Sequence, residues 1–171
     1  IQLDRLGTAA WKNRKEKIRK RIKVAAEELI KIAAARQLQK AAIFVPSSGD
    51  YEEFKSRFGF VETDDQLKVI SEIEEDLIKG VPMDRLVCGD VGFGKTEVAM
   101  RAAFIVAKND RTLTEEKNVW QVAIIAPTTL LCRQHYHNFK ERFKETGLRV
   151  EQLSRMVSTA FAKKIKEELE D

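Results

Sequence analysis

The sequence predicts an α/β fold, a parallel sheet with crossover helices, preceded by a long amphipathic helix. Three observations predict it. From residue 11 to about residue 39 there is neither Gly nor Pro, and apolar residues recur at Trp11, Ile18, Ile22, Ala25, Leu29 and Ile32, the three-and-four spacing of one helical face. The cluster Pro46-Ser47-Ser48-Gly49-Asp50 then breaks the pattern with turn-forming residues. Beyond residue 84, short apolar runs alternate with helical stretches, an order that implies right-handed crossovers between parallel strands.

The elements follow in order. Residues 1–45 form a basic connector helix, alanine-rich toward its C-terminal half at Ala25, Ala26, Ala33, Ala34 and Ala35, which permits close packing. Residues 46–171 form the α/β part. Within it, a short helix covers residues 51–57, and Thr63-Asp64-Asp65-Gln66 opens a second helix to about Lys79, with Gly80 as its cap and Pro82 beyond. Strands are expected at 85–88, 119–126 and 148–153. Helices are expected at 95–108, 129–145 and 159–169, and the polar stretch 109–117 reads as an exposed loop.

Composition sets the class. The 171 residues are 43% hydrophobic and 34% charged, a globular composition richer in charge than the average of about 25%. That length suits one domain with a core, or a small domain and a connector. There is no apolar run of about 18 residues, and Ile1-Gln2-Leu3-Asp4-Arg5 lacks the pattern of a secretory leader, so a cytoplasmic location is expected. Cys88 and Cys132 sit in apolar runs and read as reduced, packed thiols. Cys132, His135 and His137 cluster without the paired spacing of a zinc site, and metal binding there is set aside. The net charge of +4 is uneven: Lys12, Arg14, Lys15, Lys17, Arg19, Lys20, Arg21 and Lys23 fall together, relieved only by Glu16. Such a face is either solvated or meets an acidic partner.

One motif carries chemistry. Gly89-Asp90-Val91-Gly92-Phe93-Gly94-Lys95-Thr96 fits G-x-x-x-x-G-K-[ST] without a mismatch, after an apolar strand and before a helix. Glycines let backbone N–H groups curl around phosphates, Lys95 reaches the β- and γ-phosphates, and the Thr96 hydroxyl binds Mg²⁺. The helix dipole points its positive end at the same anion. A dinucleotide-binding turn is disfavoured because Glu97 stands where a third glycine would be needed. The loop alone points to an NTPase or a kinase, with Mg²⁺; the resemblance that follows implies ATP.

Three segments narrow the class: Phe58-Gly59-Phe60-Val61-Glu62-Thr63-Asp64-Asp65-Gln66, the run from Met83 through the phosphate loop to Phe104, and Ala126-Pro127-Thr128-Thr129-Leu130-Leu131-Cys132-Arg133-Gln134-His135-Tyr136. Together they resemble the first motor lobe of superfamily 2 DNA translocases, most closely the family of bacterial transcription-repair coupling factors. The resemblance implies a partial RecA-like P-loop NTPase lobe, and it extends to the basic lead-in Trp11-Lys12-Asn13-Arg14-Lys15-Glu16-Lys17, which resembles that family's connector to its polymerase-binding module. It implies that Gln66 reads the adenine edge and that Phe60 or Phe58 stacks on the base. It implies that Pro127, Thr128 and Thr129, with Arg155, hold a DNA backbone. Two alternatives stay open here. Thr63-x-x-Gln66 is also a helix capping box, and Thr128 or Thr129 is also an ordinary N-cap.

The family's acidic Walker B box and its second lobe would lie beyond Asp171, so binding of ATP without hydrolysis is expected, with Lys95 and Thr96 the catalytic-site residues present. Gly59 stands where the family would have proline. The implied function is ATP-dependent translocation on double-stranded DNA that removes stalled RNA polymerase, with an excision-repair damage-recognition protein as a further partner. Rival readings are a branched-DNA, fork-reversing helicase of the same superfamily, and a nucleotide-binding adaptor that does not hydrolyse. A truncated sheet would expose an edge strand, so self-association is also expected.

Overall fold

A computed structural model describes residues 7–109 and 120–170. It contains six helices among these residues: α1 (Ala9–Gln37), α2 (Ser48–Ser56), α3 (Asp64–Ile78), α4 (Lys95–Lys108), α5 (Thr129–Arg142) and α6 (Thr159–Glu170). None is both long and apolar enough to cross a membrane. The chain resolves into two compact units, residues 1–43 with 80–84, and residues 44–79 with 85–171.

In the first unit, Thr8 caps α1 by accepting a hydrogen bond on its side chain from the Trp11 N–H, 3.3 Å. No α1 residue is buried, and Ile18, Ile22, Leu29 and Ile32 all lie open along the stripe that the sequence spacing predicts. The helix stops at Leu38, whose N–H bonds the Ala34 carbonyl. The Ala41 N–H then donates to the Gly80 carbonyl at 2.9 Å, and Arg36 pairs with Asp84.

The second unit holds a core built from four helices. Tyr51 and Phe54 of α2, Ile70, Ile73 and Leu77 of α3, Met100, Phe104 and Ile105 of α4, and Phe139 of α5 with Phe143 just after it are buried together. Phe54 and Phe104 stack at 4.3 Å between centroids, and Phe143 meets Phe54 edge-on at 5.2 Å. Burying these rings holds α2 and α3 against α4. The Tyr51 hydroxyl reaches the Glu74 carboxylate at 2.5 Å, and burial first, then that bond, pushes the phenol well above its ordinary pKa. Phe44 packs edge-on against Trp120 at 5.0 Å.

Helix positions match the sequence pattern closely, with two shifts. Helix α2 begins at Ser48, three residues before the expected start, because Ser47 takes extended backbone at its N-cap. Helix α5 ends at Arg142 instead of 145, since the Phe143 N–H turns back to the Phe139 and Glu141 carbonyls. The expected loop at 109–117 lies outside the described residues apart from Asn109, the C-cap of α4.

The parallel sheet is not seen among the described residues. Residues 85–88, 120–126 and 148–153 are non-helical and join successive helices in the expected order, but none pairs with another as a strand. A parallel strand has no local partner; each must find a neighbour across a crossover, and its apolar residues need cover on both faces. Here Val87, Leu148 and Val150 pack on the core from one side, while Leu86 is 87% and Ile125 94% exposed.

Candidate nucleotide-binding site

The loop between residue 88 and α4 owes its shape to two glycines. Gly92 and Gly94 have φ of +87° and +68°, backbone that side chains rarely adopt, and Gly94 serves as the N-cap of α4 in that left-handed conformation. This turn starts the helix abruptly, so the unpaired N–H groups of its first turn open toward the loop. Lys95 folds over the same loop, its Nζ donating to the Gly89 and Asp90 carbonyls at 2.6 Å each. Thr96 follows on the first turn, half-buried.

A cleft of about 750 Å³ runs beside this loop. Gly92, Phe93, Gly94 and Thr96 form one wall, and Phe58, Phe60 and Gln66 another. Phe60 is 77% exposed and lies 5.6 Å from the Phe58 ring, centroid to centroid. The donor set suits a magnesium nucleotide: backbone N–H groups and an ammonium for phosphate oxygens, a hydroxyl for the hard cation, and open aromatic rings for a base. The structure thus gathers Phe60, Gln66, Val91 to Gly94 and Thr96 on one cleft. Gly89, Asp90, Lys95, Pro127, Thr128, Thr129 and Arg155 do not line it.

Gln66 does more than the sequence alone tells. Its backbone N–H donates to Thr63 Oγ1 at 3.3 Å and its Oε1 accepts from the Thr63 N–H at 2.9 Å, a complete capping box. Its Nε2 also donates to the Phe93 carbonyl at 2.9 Å. One amide therefore ties the start of α3 to the phosphate loop, and a Cβ built on Gly94 would come within 2.4 Å of that nitrogen. An N–H and a lone pair of the amide stay available to a ligand.

Thr128 caps α5, accepting from the Leu131 N–H at 3.2 Å. Its hydroxyl proton is still free to donate. Cys132 directs its thiol to the Leu153 carbonyl at 3.7 Å, whereas Cys88 is exposed.

Sequence reasoning missed a largely buried ionic cluster at the cleft, two of whose members, Glu97 and Arg142, line it. Glu97 is 7% and Arg101 2% exposed. Arg101 Nε donates to Glu97 Oε1 at 3.0 Å, and its Nη2 pairs with Glu62. Arg142 forks onto Glu97, Nη2 to Oε1 at 2.8 Å and Nε to Oε2 at 3.1 Å, and its guanidinium lies 3.9 Å from the centre of the Phe54 ring. The bond from Arg101 holds the Glu62 carboxyl below its usual range. Burial opposes the charge of Arg101, but its bonds to Glu62 and Glu97 keep its pKa above the ordinary value. The spacing of Glu97 and Arg101 was the available signal; nothing local points to Arg142.

The DEAD/DEAH box helicase family matches residues 63–170, and the chain belongs to that family. It is 52% identical over 169 residues to the transcription-repair-coupling factor of Rickettsia bellii (strain RML369-C), covering 99% of this chain and 15% of that protein. With the transcription-repair-coupling factor of Bacillus subtilis (strain 168) it shares 44% identity over 154 residues, 90% of this chain and 12% of that protein. The chain thus spans about 15% of the length of the first of these relatives. Among solved structures, RecG bound to a three-way DNA junction superimposes with a TM-score of 0.70 at 30% identity, covering 82% of this chain and 18% of RecG.

Proposed function

We propose that this chain is the ATP-binding part of an ATP-dependent double-stranded DNA translocase that removes stalled RNA polymerase and couples transcription to nucleotide excision repair. The observation that supports it most is the phosphate loop, glycine-turned onto α4, within a sequence 52% identical to a transcription-repair-coupling factor. Residues 1–45 are the connector and 46–171 the N-terminal part of a RecA-like lobe, acting in the cytoplasm. Neighbouring strands from elsewhere in a longer protein would complete the sheet that residues 85–88, 120–126 and 148–153 begin.

In this reading the Gly89–Thr96 backbone and the Lys95 ammonium bind the phosphates, Gln66 keeps a donor and an acceptor for adenine, and Phe60 stacks on the base. The Thr96 hydroxyl would hold Mg²⁺, and the ion would supply neutralisation of phosphate charge. Pro127, Thr128 and Thr129 present the α5 N-terminus to a DNA phosphate, with Arg155 beyond them. RNA polymerase and the damage-recognition protein bind elsewhere on the parent. In this reading the chain binds ATP without turning it over.

Calorimetric titration with Mg-ATP tests this, with Lys95→Ala alongside and phosphate release followed with and without duplex DNA. Binding that Lys95→Ala removes, without turnover, is expected; turnover by the chain itself would overturn the binding-only reading. The structural likeness to RecG at 30% identity favours a second reading, a branched-DNA helicase. Preferential binding of a three-way junction over a plain duplex would select it.

A further inference from the structure

The largely buried cluster at the cleft, with Glu97 and Arg142 in its lining, connects three places that the proposed function treats separately. Glu97 is the third residue of α4, directly after Lys95 and Thr96. Its carboxylate holds both Arg101 of its own helix and Arg142 near the end of α5. Arg101 continues to Glu62, the neighbour of Thr63, whose capping box places the Gln66 amide on the Phe93 carbonyl of the loop. The polar path therefore leaves the phosphate loop at Phe93, passes through Gln66, Thr63, Glu62 and Arg101, and meets the path leaving through Glu97. From there Arg142 carries it into α5, whose other end is the Thr128 cap.

We propose that Glu97 and Arg142 are positioning residues that couple the nucleotide loop to α5, so that ATP and DNA alter each other's affinity through this ion pair.

The chemistry favours such a role. Two carboxylates and two guanidiniums balance in charge, and Glu97, Arg101 and Arg142 are largely shielded from solvent, so the cluster holds only as a complete set. A first-turn movement of α4 that accommodates phosphate shifts Glu97 directly. The Arg142 fork is rigid and grips both carboxylate oxygens, so that movement is passed to α5 rather than absorbed. Arg142 Nη1 is meanwhile buried without a hydrogen-bond partner. Buried donors rarely stay unpaired, so the proposal includes a second arrangement of α5 in which Nη1 meets an acceptor.

The inference rests on the proposed ATP and DNA sites, and the test separates the two. The dissociation constant of a fluorescent Mg-ATP analogue is measured on this chain without DNA and with a saturating blunt duplex, for wild type, Glu97→Gln and Arg142→Lys. The ratio of the two constants is the coupling factor, and it is independent of how far either affinity moves alone. Wild type is expected to show a factor within the usual range of about 5 to 150. Glu97→Gln is expected to bring it to about one, and Arg142→Lys, which keeps the charge and loses the fork, to an intermediate value. A lost core contact would lower the urea midpoint without changing the ratio, so unfolding is followed in parallel. Wild-type ratios in both variants overturn the coupling, as does a ratio of about one in wild type that binds both ligands. Failure of the wild type to bind the nucleotide at all overturns the underlying reading, and the coupling with it.

Discussion

Replacing the two loop glycines with alanine, one at a time, isolates the contribution of the Gln66 amide. Gly92 and Gly94 both have positive φ, so alanine at either one costs about 1 kcal/mol in backbone conformation. At Gly92 the new Cβ meets nothing within 4 Å. At Gly94 it falls 2.4 Å from Gln66 Nε2 and 3.6 Å from Cδ, so the amide must swing away. Two hydrogen bonds go with it, Nε2 to the Phe93 carbonyl and the Thr63 N–H to Oε1. Both are solvent-exposed, worth about 0.5 kcal/mol each at the lower end of the usual range. Gly92→Ala should therefore destabilise by about 1 kcal/mol and Gly94→Ala by about 2 kcal/mol. Urea unfolding followed by Trp120 fluorescence in a Trp11→Phe background reads this as a shift in midpoint at constant slope. Gln66→Ala should cost about 1 kcal/mol alone and almost nothing on top of Gly94→Ala, a coupling expected of groups in contact. Equal losses at the two glycines, or a full additional loss in the double variant, would refute the account of the amide as a strut between α3 and the loop.

Phe104→Ala removes the ring at the centre of the aromatic core and should cost about 3 to 5 kcal/mol, whereas exposed Phe60→Ala should leave the urea midpoint almost unmoved. The Glu62 carboxyl is held below its ordinary pKa by Arg101, so its contribution to stability is complete above the ordinary glutamate value and is lost as pH falls through the lower folded value. Acid titration of stability should thus show a decline below about pH 4 that is shallower in Glu62→Gln; identical slopes would remove Glu62 from the cluster. A disulfide reagent should modify exposed Cys88 well before Cys132, whose thiol faces the Leu153 carbonyl, as mass spectrometry of quenched samples would report.

Local signals carried most of what the sequence revealed. The boundaries of α4 were readable because Gly94 stops the preceding chain, Lys95 opens the helix and Asn109 closes it, each within a few residues of the bonds it makes. The Gln66 capping box was readable, and the structure adds a third bond, to Phe93, that no spacing encodes because its partner lies 27 residues away. The same distance limit explains Arg142. Its fork onto Glu97 spans 45 residues, and an arginine near the end of a polar helix looks from the sequence like a solvated charge at the dipole's negative end. The strands failed for a different reason. Apolar runs at 85–88 and 148–153 mark non-helical chain, but a run says nothing of whether a neighbour is present to pair with it.

Helix α1 has a thermal consequence. It spans 29 residues with none buried, so what holds it is its own hydrogen-bond ladder, the Thr8 cap and pairs such as Lys23 with Glu27. Such a helix frays gradually from its ends on warming, with little heat-capacity change because it exposes little new apolar surface. The second unit, with its packed rings, should instead absorb heat in one sharp step. Far-UV ellipticity of the whole chain would then slope from low temperature upward while calorimetry records a single narrow peak, and a two-state fit to the ellipticity would understate the cooperativity of the second unit.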